Sequence, residues 1–350
     1  MKSGQWLMIC LVFATACSES VQVNAPYKDI WVVYGILNPQ SDFQYLRISR
    51  AFQAEENAYT FAASHDQSVK GLRVTLSDEN GKIYQAIQKD SVLKDTSSGD
   101  FFPYSTVYQF ETRNDDRLTE EKVYHLKIED PAISGFFLQA QTRIPPQPRI
   151  TAPKTSIARG NKCLPVVSFE DSVFVYFNKH RGDAQTSAMR YEIQVLLNFW
   201  KNGIRTTFKT SPTRLFYDDV SCAQTGDNAL CYQFRDGVLA NRMKEAFADS
   251  LARYIFEDSP LCGTPWTDLP DFVQLQVTAL DTFLSRYIIS NDPGYVNLNT
   301  IRKEYTNISG SETAVGIFGS VASDQEDVAM SPCALYLLGL TPDAPTSICD

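Results

Sequence analysis

The chain has 350 residues, 43% hydrophobic and 12% aromatic, with 32 Lys and Arg against 41 Asp and Glu for a formal charge of −9. An acidic chain without a basic cluster is a poor match for nucleic acid, whose phosphates demand clustered Lys and Arg. The length exceeds the usual size of one domain and the apolar content suffices for two cores, so two domains are expected.

The first segment, MKSGQWLMICLVFATACSES, has the form of an export signal. Lys2 is the positive start, Trp6 to Phe13 the apolar run, and Ala14, Thr15 and Ala16 the small residues before Cys17. The run is too short for a spanning helix, which needs about 20 apolar residues. A cysteine placed directly after small residues distinguishes a bacterial lipoprotein signal, whose thiol is acylated before cleavage, from an ordinary secretory one. Residues 1–16 are therefore read as a lipoprotein signal peptide, Cys17 as the lipidation site, and residues 17–28 as a polar tether. Loss of the signal removes one lysine and no acid, which takes the charge to −10.

From Ile30 the sequence alternates as strands do. IWVVYGIL (30–37) is apolar on both faces, and YLRISRAF (45–52) sets Leu46 and Ile48 against Arg47 and Ser49. GLRVTLSDENGKIYQAI (71–87) reads as a hairpin in which Asn80-Gly81 supplies positive φ angles. STVYQFETR (105–113), KVYHLKIED (122–130) and FFLQAQTRIP (136–145) continue the pattern. Short strands at regular spacing point to an immunoglobulin-like β-sandwich over residues 29–148. PPQPRI (145–150) breaks the ladder, because proline cannot donate to it.

Residues 149–350 mix periods and read as an α+β domain. SVFVYF (172–177) is a strand, and residues 189–217 form a hairpin about Lys201-Asn202-Gly203. Leu239, Met243, Phe247, Leu251 and Tyr254 recur at helical spacing from Val238 to Ile255, with Asp236 as N-cap. FVQLQV (272–277) is a strand leading into a helix at TALDTFLSRYII, where Thr278 and Asp281 resemble a capping box. The whole chain is thus expected to be mainly β.

Two of eight cysteines fall in the signal region; Cys163, Cys222, Cys231, Cys262, Cys333 and Cys349 remain, all in the second half. An even number in an exported chain implies disulfides. Of the 15 pairings six cysteines allow, proximity favours Cys222 with Cys231, Cys333 with Cys349 and Cys163 with Cys262. None has Cys-x-x-Cys spacing.

Catalytic and cofactor signatures are absent: no Gly-x-Gly-x-x-Gly, Walker loop, His-Glu-x-x-His, Gly-x-Ser-x-Gly or EF-hand loop occurs. No enzyme, cofactor or metal is expected. His125 alternates with Val123 and Lys127 and is assigned to a solvated strand face. Arg181-Gly182-Asp183 is read as a polar turn, and Asp218-Asp219 as a solvated strand end, since neighbours on an extended chain point apart. Aromatics in turn-like sequence are the candidate contacts: Phe101, Phe102 and Tyr104 around Pro103, and Trp266 beside Cys262. The favoured reading of these aromatics is structural: they plug the ends of the sandwich or cover the domain junction, with contact to a ligand or partner the alternative.

Several stretches together resemble an uncharacterised family of Bacteroidota cell-envelope lipoproteins often encoded beside TonB-dependent outer-membrane receptors. They are Cys17 with its acidic follow-up, IWVVYGILN, LRISRAF, VTLSDENGKIY, KVYHLKIEDPAISGFFLQAQTRIPPQPRI, LQVTALDTFLSRYI and YTNISGSETAVGIFGS. This chain departs from the family pattern by interposing SETAV between Gly310 and Gly316. The resemblance implies no catalytic residues. It implies a lipid-anchored outer-membrane protein, with the leaflet left open, that assists a TonB-dependent transporter or binds its ligand. An envelope assembly role and a glycan hydrolase with carboxylates distant in sequence are the alternatives. Three Asp-Ser-aliphatic triplets occur, at Ser91, Ser172 and Ser250, an O-glycosylation pattern that the family resemblance implies; Ser91 ranks first, because it lies in a polar stretch where a sugar would disturb no core.

Overall fold

The computed structural model describes residues 28–53, 57–94, 102–154, 156–158, 161–169, 172–178, 190–216, 229–235, 237–249, 253–255, 258–259, 269–270, 273–291 and 306–340. The protein is mainly β with several sheets, as the alternation predicts. The first half supplies β1 (Trp31–Leu37), β2 (Phe43–Arg50), α1 (Ala58–Ser64), β3 (Arg73–Asp78), β4 (Ile83–Gln85), β5 (Ile87–Leu93), β6 (Tyr104–Glu111), β7 (Val123–Glu129) and β8 (Phe137–Arg143). The second supplies β9 (Arg149–Ala152), β10 (Val173–Asn178), β11 (Arg190–Lys201), β12 (Ile204–Lys209), β13 (Thr213–Phe216), β14 (Ala229–Phe234), α2 (Val238–Met243), β15 (Val273–Leu280), α3 (Thr282–Asn291), β16 (Ala314–Met330) and α4 (Pro332–Leu337).

Strands β4-β3-β7-β8 form a four-stranded antiparallel sheet. Its inward residues Val74, Leu76, Leu126, Ile128 and Leu138 share one buried cluster with Val33, Leu46, Ile48, Tyr108 and Phe110 of the facing sheet. That facing sheet does not stop at the first half. It continues in the order β12-β11-β15-β16-β1-β2-β6-β5 as part of an 11-stranded sheet. A second cluster gathers Val175 and Phe177 of β10, Ile193 and Val195 of β11, Leu275 and Val277 of β15, and Leu239 and Met243 of α2.

Strand β16 joins the two clusters. It runs parallel to β1 from Trp31↔Ala314 to Leu37↔Ser320, and antiparallel to β15 from Leu280↔Val321 to Val273↔Val328. Its Phe318 and Ala322 belong to the first cluster, its Val328 and Met330 to the second. Gly316 is required in this strand: its φ is +122°, and a Cβ there would lie 2.0 Å from the Val33 carbonyl oxygen. Of the residues interposed after Gly310, Ala314 and Val315 are strand, paired with Trp31 and Val32.

Several local expectations change. The helix expected from Val238 to Ile255 ends at Met243 and passes through a 3₁₀ turn, Lys244–Phe247; Tyr254–Ile255 is a short strand on β11. Phe199 explains this, because it draws Phe247 and Tyr254 onto its ring at 5.2 and 5.7 Å, a cluster one straight helix does not make. Gly237 occupies the N-cap position; Asp236 lies outside the described residues. In the β3–β4 turn only Gly81 has positive φ, while Asp78 Oδ1 accepts from the Asn80 and Lys82 amides and closes the turn. Asn202 and Gly203 both have positive φ and make a two-residue hairpin turn between β11 and β12.

Asp281 is the largest revision. It is not the third residue of a capping box begun by Thr278, because β15 extends through Leu280. Asp281 itself caps α3: its Oδ1 accepts from the Leu284 amide at 2.5 Å and its carbonyl from the Ser285 amide at 3.0 Å. Its Oδ2 accepts from the Ser320 amide at 2.7 Å and from the Thr142 hydroxyl, and the Ser320 hydroxyl donates to the Arg143 carbonyl at 2.8 Å. One carboxyl group therefore ties β8, β16 and α3. It is 4% exposed, and desolvation pushes its pKa up to about 6, against the opposing hydrogen bonds from Thr142, Leu284 and Ser320.

A raised carboxyl pKa favours the protonated form in the folded state. Its contribution to stability is present in full below the ordinary value of 3.8 and is lost as pH rises through about 6. The loss amounts to about 3 kcal/mol. Denaturant unfolding between pH 4 and pH 7 is expected to show this decline, and Asp281→Asn to flatten it. An unchanged pH slope in the variant would contradict the assignment.

Candidate functional site

Cys17, Phe101, Cys222, Cys262, Trp266 and Cys349 lie outside the described residues, as does the side chain of Cys163. Cys231 and Cys333 are each disulfide-bonded and buried. Phe102 and Tyr104 meet edge to face with centroids 6.2 Å apart. The Phe102 amide donates to the Ala62 carbonyl at 2.9 Å, so α1 holds this segment, with Phe102 half-buried and Tyr104 exposed. Ser91 is exposed with φ +57°, at the irregularity between Lys89 and Val92 where β5 pairs with β6. Such a bulge leaves its hydroxyl clear of the ladder.

Among the described residues, the outer face of the four-stranded sheet carries two clefts. His125 is exposed on it, as its alternation predicts, between buried Tyr124 and Leu126. Register sets the outward side chains in rows across the strands: Ile83, Ser77, His125 and Gln141 in one, Gln85, Thr75, Lys127 and Gln139 in the next, Arg73, Glu129 and Phe137 in a third. Ser77, His125 and Gln141 of the first row and Lys127 and Gln139 of the second floor a cleft of about 570 Å³. The third lines a smaller one of about 360 Å³ against Asp130–Phe136.

The wall of the larger cleft comes from far along the chain. Asn307 donates its amide to the Phe318 carbonyl at 2.7 Å and the Gln141 carbonyl at 3.2 Å, and accepts from the Phe318 amide at 2.9 Å. It thus stands in for a strand between β8 and β16. Ile308 is buried in the first cluster. Ser309 exchanges backbone bonds with Gln139 at 2.8 and 2.9 Å. Phe283 of α3 completes the rim.

This wall consumes the polar groups of Asn307 and Ser309. The side chains of Ser77, His125, Gln139 and Gln141, in contrast, make no hydrogen bond to another described residue, and Lys127 pairs only with Glu129 at 2.8 Å. No Asp or Glu is among the described residues lining the larger cleft. Among the described residues, no group of three or more His, Cys, Asp and Glu is placed to hold a metal ion. The arrangement can donate and accept hydrogen bonds over an extended area; Ser77 and His125 are cross-strand neighbours in it, with no hydrogen bond between them. Compared with protein-family models and with curated proteins, the chain matches none.

Sequence reasoning put His125 on a solvated strand face without a binding role and missed the wall, which a contact some 166 residues apart creates. Asn307→Ala is expected to destabilise by about 2–4 kcal/mol, because it strands the buried amide and carbonyl of Phe318. Asn307→Asp should recover part of the loss, through the retained acceptor. Equilibrium unfolding checks this, and a wild-type midpoint for Asn307→Ala would contradict the role.

Proposed function

We propose that the protein is a non-catalytic lipoprotein of the outer membrane, anchored through Cys17, which binds a polar ligand on its sheet face in the service of a TonB-dependent transporter. The observation that carries the binding role is the walled grid of unengaged side chains, Ser77, His125, Gln139 and Gln141. Polar groups that satisfy nothing internally and converge on a cleft are what a binding surface requires. The Ala14-Thr15-Ala16-Cys17 junction supports the anchor, and the family resemblance supports the partner. In this reading residues 29–148 are an immunoglobulin-like β-sandwich that borrows β16, and residues 149–350 an α+β domain stiffened by disulfides. Acyl chains, at about 0.8 kcal/mol per buried CH₂, hold such a protein on the membrane durably when more than one is present.

Affinity purification from detergent-solubilised outer membranes tests the proposal. A TonB-dependent barrel protein should co-purify with the native chain, and Cys17→Ser should release the chain from the membrane fraction. Purification without such a partner, together with unchanged fractionation of the variant, would refute it.

A further inference from the structure

We infer that the sheet-face cleft takes an acidic oligosaccharide, a chain of sugar rings bearing carboxylates. The inference rests on the binding role proposed above and specifies its ligand.

Charge is the first argument. The chain carries −9 overall, yet the described lining of the larger cleft holds Lys127 and His125 and no carboxylate. The adjoining row adds Arg73 opposite Glu129. Glu129 is the single acid among the outward residues of the three rows, and it lies between Arg73 and Lys127. Its ion pair with Lys127 is half-exposed, at 54% and 31% side-chain exposure, and such pairs contribute little. The Lys127 ammonium is therefore available to a ligand carboxylate at small cost.

Shape is the second argument. Neighbouring strands stand about 4.8 Å apart, and outward residues on one strand repeat every 6–7 Å or so. Gln139 and Gln141 on β8, with His125 and Lys127 on β7, thus make a square of amide, imidazole and ammonium donors on the scale of a sugar ring and its linkage. Amides and hydroxyls that both donate and accept suit vicinal hydroxyl groups, which do the same. Phe283 adds an aromatic side chain to the rim beside them. The second cleft is lined by Glu129 and Asp130 beside Arg73, so an acidic ligand is confined to the larger one.

The sheet edge gives the third argument. A peptide would be expected to add as a strand through main-chain bonds. On the β8 side that route is occupied, because Ser309 already pairs with Gln139 and Asn307 with the Gln141 carbonyl. Recognition there falls to outward side chains, which favours a ligand read by its hydroxyls and carboxylates.

Isothermal titration of the mature chain tests this with oligogalacturonate, oligomannuronate and sialyllactose, each beside its carboxyl-reduced, neutral counterpart. At least one acidic probe should bind, its reduced form at least tenfold more weakly, with affinity falling as salt rises. Lys127→Gln should weaken it about tenfold, and Gln139→Ala with Gln141→Ala should abolish it, while the exposed positions leave the unfolding midpoint unchanged. Equal binding of reduced and acidic forms would overturn the charge argument and leave the binding role standing. Binding untouched by these variants, or no binding by any probe, would overturn the site; the outer-membrane co-purification then judges the wider reading separately.

Discussion

Where β15 ends at Leu280, opposite Val321, the backbone of β16 continues into the first core with one edge unpaired by any strand. Buried amides and carbonyls must find partners or cost about 1–3 kcal/mol each. Two side chains meet the need. Asn307 serves the amide and carbonyl of Phe318, and Asp281 serves the amide of Ser320 while its own backbone amide serves the Ser320 carbonyl. The rest of the arrangement depends on this extension. It lets one strand of 17 residues carry Phe318 into one core and Val328 into the other.

The same extension builds the candidate site. Asn307 reaches Gln141 as well as Phe318, and this fixes the wall beside the rows of β7 and β8. Asp281 starts α3, whose Phe283 stands on the rim. The candidate face on the first half is thus shaped by residues from the last fifth of the chain. Its floor belongs to a regular sheet, which holds the donors in place, and its wall to an irregular segment tied down by hydrogen bonds. Rigid floors with such side walls are well suited to reading a ligand by position.

Much of the strand content was legible because period-two patterning states burial directly. Tyr124, Leu126 and Ile128 are buried and His125 and Lys127 exposed, as their order dictates. Helical spacing misled at Phe247 and Tyr254, where the ring of Phe199 gathers side chains that a 3₁₀ turn and a short strand present. Strand β5 escaped notice since nearly all its residues are exposed, and an edge strand needs no apolar face. Asp281 looked like a local cap. Its longer-range partners, Thr142 and Ser320, lie 139 and 39 residues away, a separation no window of sequence covers. The wall of the site was hidden for the same reason, while the alternation around His125 showed which face of β7 points outward.

If β16 unites the two cores, they should open together. Native-state hydrogen exchange followed by mass spectrometry, over a range of sub-denaturing guanidinium concentrations, measures this most directly. Peptides covering β1, β7, β11 and β15 are expected to converge on one opening free energy with one denaturant slope. Separate isotherms, with β1 and β7 opening at a free energy distinct from that of β11 and β15, would contradict the shared-strand account.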